Sequence, residues 1–156
     1  MRTHGSVPLT LRTGPGLLDD LRQSLARTFL TELANPEARA LVTLAVQEVV
    51  ANVWEHGYRR ADNEPVEVEI TPLEGEVFSV TVSDRAPVLD VTRAAPRSLR
   101  ALAARHEPRG RGIALVRELT LSLTHRPREG GGNLLTLVFD PALITSVLEG
   151  RMNRAG

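Results

Sequence analysis

The stretch Glu48-Val49-Val50-Ala51-Asn52-Val53-Trp54-Glu55-His56-Gly57-Tyr58 decides how this sequence folds. Upstream of it, Asn35-Pro36 has the form of a helix N-cap followed by proline at the first helical position, and Gly57 is a natural stop. The spacing predicts one helix from Pro36 to about His56. At about 100° per residue, Val42, Val46, Val49 and Val53 make a single apolar stripe. Glu48 and Asn52 lie one turn apart, so they stack on one face. That face also carries Leu41, Leu44 and Ala45, and it is not the polar side of Thr43 and Gln47. A carboxylate and a carboxamide among apolar neighbours cost free energy unless something binds them. Two readings stay open on these residues alone: a partly exposed helix edge, or a pair facing a bound group.

Outward from this helix, the chain reads as alternating helices and hairpins. Val7 to Arg12 alternates weakly and predicts a first strand, closed by Gly14-Pro15-Gly16. Leu17, Leu18, Leu21, Leu25, Phe29, Leu30 and Leu33 recur at helical spacing, predicting a helix over Leu17 to Leu33. Val66, Val68 and Ile70 alternate with glutamates, and Val77 or Phe78 through Val82 alternates again after the turn Leu73-Glu74-Gly75-Glu76. Ser83 to Arg111 is proline-interrupted and arginine-rich, with one short helix expected around Ser98 to Arg105. A helix over Ile113 to Leu121 should follow Gly110-Arg111-Gly112. Strands over Leu121 to His125 and Leu134 to Phe139 flank Glu129-Gly130-Gly131-Gly132, and Pro141 to Leu148 predicts a last short helix. This order implies an α+β fold: a two-layer sandwich of an antiparallel or mixed sheet with helices on one face.

Composition narrows the function. The 156 residues are the length of one ordinary domain, and 1–156 is expected to be a single one. Hydrophobic content of 42% and charged content of 24% exclude a disordered chain. Nineteen basic residues, all arginine, balance nineteen acidic ones, leaving no basic excess to hold nucleic acid or an anionic membrane. Without lysine there is neither Schiff-base chemistry nor a P-loop. Without cysteine there are no disulfides, thiolate zinc sites or thiol nucleophiles. No apolar run has the form of a signal peptide or a membrane span, so a cytoplasmic protein is expected. His4, His56, His106 and His125 have no metal-ligand spacing, and Ser79, Ser83 and Ser98 lack a paired base.

Two further features carry chemistry. Gly110-Arg111-Gly112 opens a helix, where free N–H groups and the positive end of the dipole suit a phosphate; it is equally the ordinary end of a loop. Asp84 ends the strand Val80-Thr81-Val82-Ser83, where an acid either caps a turn or points a carboxylate at an amino group.

Taken in order, the Glu48 to Tyr58 helix, the strand ending at Asp84, Gly110-Arg111-Gly112-Ile113-Ala114-Leu115 and Gly131-Gly132-Asn133 form a series. The series resembles the GHKL ATPase superfamily, and within it the stand-alone bacterial anti-sigma-factor serine/threonine kinases. The likeness covers nearly the whole chain and is strongest from Leu41 to Phe139. It implies ATP held between the long helix and a lid, with Mg²⁺ on the side-chain oxygen of Asn52 and Glu48 as general base. Asp84 would accept from the adenine amino group, and Gly110, Arg111 and Gly112 would meet the phosphates. Asn133 stands near the adenine where the family usually has threonine, and His56 belongs to the helix motif. The implied partners are a sigma factor, a small antagonist protein that accepts the phosphoryl group, and a second copy in a homodimer. The length leaves no room for a phospho-accepting helix pair, so a full histidine kinase is not expected. Asp84-Arg85-Ala86-Pro87-Val88 lacks both glycines of the family's first box, and Ala114 replaces the third glycine of the second. The alternative is therefore a nucleotide-poor adaptor of the same fold that acts by binding partners.

Overall fold

Strands with one apolar face need a cover, and this sheet takes it on one side. The computed structural model describes residues 5–90, 92 and 111–155, the side chains of Phe29 and Arg111 excepted. Within them, β1 (Val7–Arg12), β2 (Pro65–Pro72), β3 (Phe78–Asp84), β4 (Ser122–Pro127) and β5 (Asn133–Phe139) form one sheet in the order β1-β2-β3-β5-β4. Every pairing in it is antiparallel. The period of two places Val66, Val68, Ile70, Val80, Val82, Leu135 and Leu137 in the core while Glu67 and Glu69 face solvent. Phe78 and Phe139 pair across the β3–β5 ladder with ring centroids 5.3 Å apart.

The helices α1 (Leu17–Leu25), α2 (Pro36–Asn52), α3 (Arg111–Leu119) and α4 (Pro141–Met152) share that core. They contribute Leu17, Leu21, Leu25, Val42, Val46, Val49, Val116, Leu119 and Ile144 to a single apolar cluster with the strands. Burying each Leu or Ile side chain stabilises the fold by roughly 1.5–3 kcal/mol. The central helix is α2. Gln47 on one flank donates from Nε2 to the carbonyl of Leu18 in α1, and Glu48 on the other flank lies against Gly112 in α3. Among the described residues, no helix is long and apolar enough to cross a membrane.

Several boundaries differ from expectation. The helix predicted over Leu17 to Leu33 stops at Leu25, and Phe29–Glu32 forms a separate 3₁₀ turn. Thr28 is the cause: its hydroxyl donates to Leu25 O at 2.7 Å and accepts from Leu30 N–H at 3.3 Å, offering the backbone an alternative to the helix. The second helix begins as predicted, with Asn35 Oδ1 accepting from Glu37 N–H at 2.9 Å. After Asn52, however, Val53–Gly57 is a π-helical turn, closed by Tyr58 N–H to Val53 O at 2.8 Å. Such wide turns recur at functional sites. The last helix is capped by Asp140 and runs on to Met152. The short helix expected around Ser98 to Arg105 lies outside the described residues.

Register fixes what meets at one end of the sheet. Asp84 pairs with Val66 on one side and with Asn133 on the other, and Asn133 also pairs with Pro127. Asp84 and Asn133 therefore end two core-facing stripes, and there the inner face turns from apolar to polar.

Candidate functional site

Asp84 is 3% exposed and Asn133 6%, so the polar end of the sheet is a buried one. A buried carboxylate must be hydrogen-bonded or neutral. Here Asp84 Oδ1 accepts from Asn133 Nδ2 at 3.0 Å and from the Ala86 N–H at 2.9 Å. Burial pushes the Asp84 carboxyl above its ordinary value, while these two bonds and the Arg128 charge pull it back.

The residues after Asp84 are held from three directions. Tyr58 stands just past the π turn; its hydroxyl donates to Pro65 O and accepts from the Arg85 N–H, both at 2.7 Å. Gly57 packs so closely on Ala86 that a Cβ there would come 3.1 Å from the alanine methyl. Gly132, at φ +108°, lies against the strand end, and a Cβ on it would stand 2.0 Å from the Asp84 carbonyl oxygen. Arg128 Nη1 donates to that same oxygen at 3.2 Å.

The opposite wall comes from α2 and the π turn. Val49, Asn52, Val53 and Gly57 face Asp84, Asn133, Leu135, His125 and Leu89 across an open pocket. A mainly apolar lining with a few fixed polar groups suits a small ligand. Glu48 lies one turn before Asn52, half-buried, with its carboxylate over the start of α3. A Cβ on Gly112 would stand 2.1 Å from Glu48 Oε2, so only glycine leaves room for the carboxylate. Burial, with the like charge of Glu55, raises the Glu48 carboxyl above its ordinary value. Among the described residues, no group of three or more His, Cys, Asp or Glu could hold a metal ion unaided.

With this geometry, residues 12–139 match the histidine kinase-like ATPase domain family. The chain belongs to that family. No curated relative matches the sequence. Among solved structures, the SiaB–SiaC complex from Pseudomonas aeruginosa superposes at a TM-score of 0.60 and 18% identity, over 84% of this chain and 88% of that one. The histidine kinase domain of the blue-light-activated kinase of Erythrobacter litoralis EL346 gives 0.49 and 18%, over 81% of this chain and 66% of that one. A second structure of that kinase gives 0.48 and 17%, over 78% and 40%. At such identities the likeness is one of fold.

Asn52, Asp84 and Asn133, singled out in the sequence, thus line one pocket. Glu48 sits beside it, in contact with Gly112. His56 is exposed and is not among the pocket's lining residues. Gly110 lies outside the described residues, as does the Arg111 side chain. Asn133, on the pocket's floor, has its amide engaged on both ends by protein partners. Sequence reasoning named Tyr58 and Gly132 only as members of the motif series and His125 only as lacking metal-ligand spacing, and gave none of the three a part in the site. A signal existed for His125: it shares strand parity with Leu123, which makes it a polar side chain on the inner face of a strand. No comparable signal marked Gly132 among its glycine neighbours.

Proposed function

We propose that this chain binds Mg-ATP in the pocket between α2 and the sheet and passes the γ-phosphoryl group to a serine or threonine of a small antagonist protein. The observation that carries the reading is the buried Asp84 carboxylate on the pocket floor, facing Asn52 across the lining. A fixed acceptor in an apolar cleft suits the exocyclic amine of adenine, and the apolar walls suit a purine ring. Asn52 would hold Mg²⁺ through its side-chain oxygen, the remaining ligands coming from phosphate and water as this hard ion prefers. Bound there, the ion would neutralise phosphate charge. The backbone of Gly110, Arg111 and Gly112 would meet the phosphates at the start of α3.

Glu48 has the surroundings of a general base. Its raised proton affinity favours taking the proton of an incoming hydroxyl. The hydroxyl oxygen bonds to the γ-phosphorus as the bond to the bridging oxygen breaks, and ADP leaves with that electron pair. Membership of an ATPase-domain family supports the nucleotide, and a fold neighbour from a two-protein complex supports a protein partner. The finer reading is of one cytoplasmic domain, acting as a homodimer in anti-sigma regulation. Calorimetric titration tests it. Mg-ATP should bind well ahead of Mg-GTP, because guanine presents a carbonyl where Asp84 needs a donor. Equal affinity would remove Asp84 from base recognition, and no binding at saturating nucleotide would leave the adaptor reading in its place.

A further inference from the structure

Asn133 makes five hydrogen-bonding contacts, and their sense depends on which way its amide is turned. The two ends of a carboxamide are alike in shape and opposite in hydrogen-bonding character. As placed, Nδ2 faces three acceptors: Asp84 Oδ1 at 3.0 Å, Pro87 O at 3.1 Å and Ala86 O at 3.4 Å. Oδ1 accepts from the Leu89 N–H at 2.9 Å and from His125 Nε2 at 2.7 Å. Reversed, the amide would set an oxygen against a buried carboxylate and two carbonyls, and an NH₂ against the Leu89 N–H. His125, on the far strand, opposes such a reversal when its Nε2 carries the ring proton. Its ring is 5% exposed, and its other nitrogen stands 3.8 Å from Asp90 Oδ1.

We propose that His125 and Asn133 act as a positioning pair that keeps Asp84 a hydrogen-bond acceptor and clasps Ala86 to Leu89 over the pocket, thereby setting its preference for a base with an exocyclic amine. The inference rests on the nucleotide reading above and deepens it. Neither residue gives a bond to the ligand, since the Asn133 amide is already engaged at both ends. The clasp does by side-chain bonding what this loop, carrying Ala86, Pro87 and Val88, does not do through glycines. The balance at Asp84 agrees with it: burial favours the neutral carboxyl, and the hydrogen bond from Asn133 opposes that. Freed from Asn133, the carboxylate would lose the bond that fixes its orientation, and the discrimination between 6-amino and 6-oxo purines would fall with it.

The test compares Mg-ATP with Mg-ITP, which replaces the 6-amine by a carbonyl, on the parent protein, His125→Phe and His125→Gln. The parent should prefer ATP by roughly a hundred-fold or more, as a built hydrogen-bonding site does. His125→Phe, which has no donor, should fall below about ten-fold and exchange its Leu89 amide faster without nucleotide. His125→Gln, which restores an N–H near the Nε2 position, should recover both. If His125→Phe does not fold, the imidazole tautomer of the parent, read from its ¹⁵N spectrum, replaces it: a proton on Nε2 is expected, and its absence overturns the pair. His125→Phe with undiminished selectivity and Leu89 protection would overturn the proposal and leave nucleotide binding intact. A parent that binds neither nucleotide would overturn the nucleotide reading and this inference with it.

Discussion

Replacing Gly132 by alanine should damage the protein more than the same change at its neighbour, and the difference can be worked from the backbone. Gly131 and Gly132 both have positive φ, +102° and +108°, so each alanine pays a conformational cost of about 1–3 kcal/mol. There the likeness ends. A Cβ on Gly131 meets nothing within 4 Å, whereas one on Gly132 would lie 2.0 Å from Asp84 O, 2.9 Å from Asp84 C and 3.0 Å from Arg85 Cα. These are backbone atoms at the end of a paired strand, with no flexible side chain to swing aside. To reach even 3.0 Å, Asp84 O must retreat by 1.0 Å (3.0 − 2.0), which strains the β3–β5 ladder where Asp84 pairs with Asn133. Overpacking of that kind adds about 1–3 kcal/mol. Gly132→Ala should therefore cost about 2–6 kcal/mol in urea denaturation and Gly131→Ala about 1–3 kcal/mol. Gly132→Ala should also lose nucleotide affinity, because the carboxylate of Asp84 moves with its backbone. If the two variants have equal stability within about 0.5 kcal/mol, the reasoning about close approach is wrong.

Other outcomes follow from the same geometry. Asp84→Asn should weaken Mg-ATP binding by about ten- to a hundred-fold, since a charge-assisted hydrogen bond contributes roughly 1.5–3 kcal/mol; unchanged affinity by calorimetry would clear Asp84 of the role. The same variant carries a pH signature. A carboxyl raised on folding adds stability below its unfolded value, here near 3.8, and loses it as pH rises through the folded value, so Asp84→Asn should gain on the parent in melts taken from about pH 4 toward 7. Glu48→Gln should still bind nucleotide and fail to phosphorylate a partner, while Asn52→Ala should lose the Mg²⁺-dependent part of binding; parental phosphotransfer by Glu48→Gln would refute the general base. Tyr58→Phe removes the hydroxyl between Pro65 O and the Arg85 N–H and should cost about 1–3 kcal/mol in denaturant, whereas a neutral effect would show the residue after Asp84 to be held without it.

The parts of this protein legible in its sequence are those set by local periodicity and caps. Asn35-Pro36, the valine stripe of α2 and the alternation in β2, β3 and β5 each announce their element through nearest neighbours. Glu48 and Asn52 stood out as polar groups in an apolar setting, and Asp84 as an acid at the end of a strand. The break at Thr28 was hidden, because a hydroxyl bonded back to Leu25 leaves the leucine spacing intact. The π turn at Val53–Gly57 was hidden too, since its pattern continues that of the helix before it. The clasp built by Asn133, His125, Tyr58 and Gly132 depends on strand register and on contacts between residues far apart in the chain. Periodicity says nothing of such pairs, and parity alone hinted at His125.

The central claim is that an adenine nucleotide lies between α2 and the sheet with its amine on Asp84. A crystal structure with Mg²⁺ and a non-hydrolysable ATP analogue tests it most directly. The account predicts the adenine N6 within hydrogen-bonding distance of the Asp84 carboxylate and the metal on the Asn52 side-chain oxygen. A nucleotide bound elsewhere, or seated in this pocket with N6 turned away from Asp84, would contradict it.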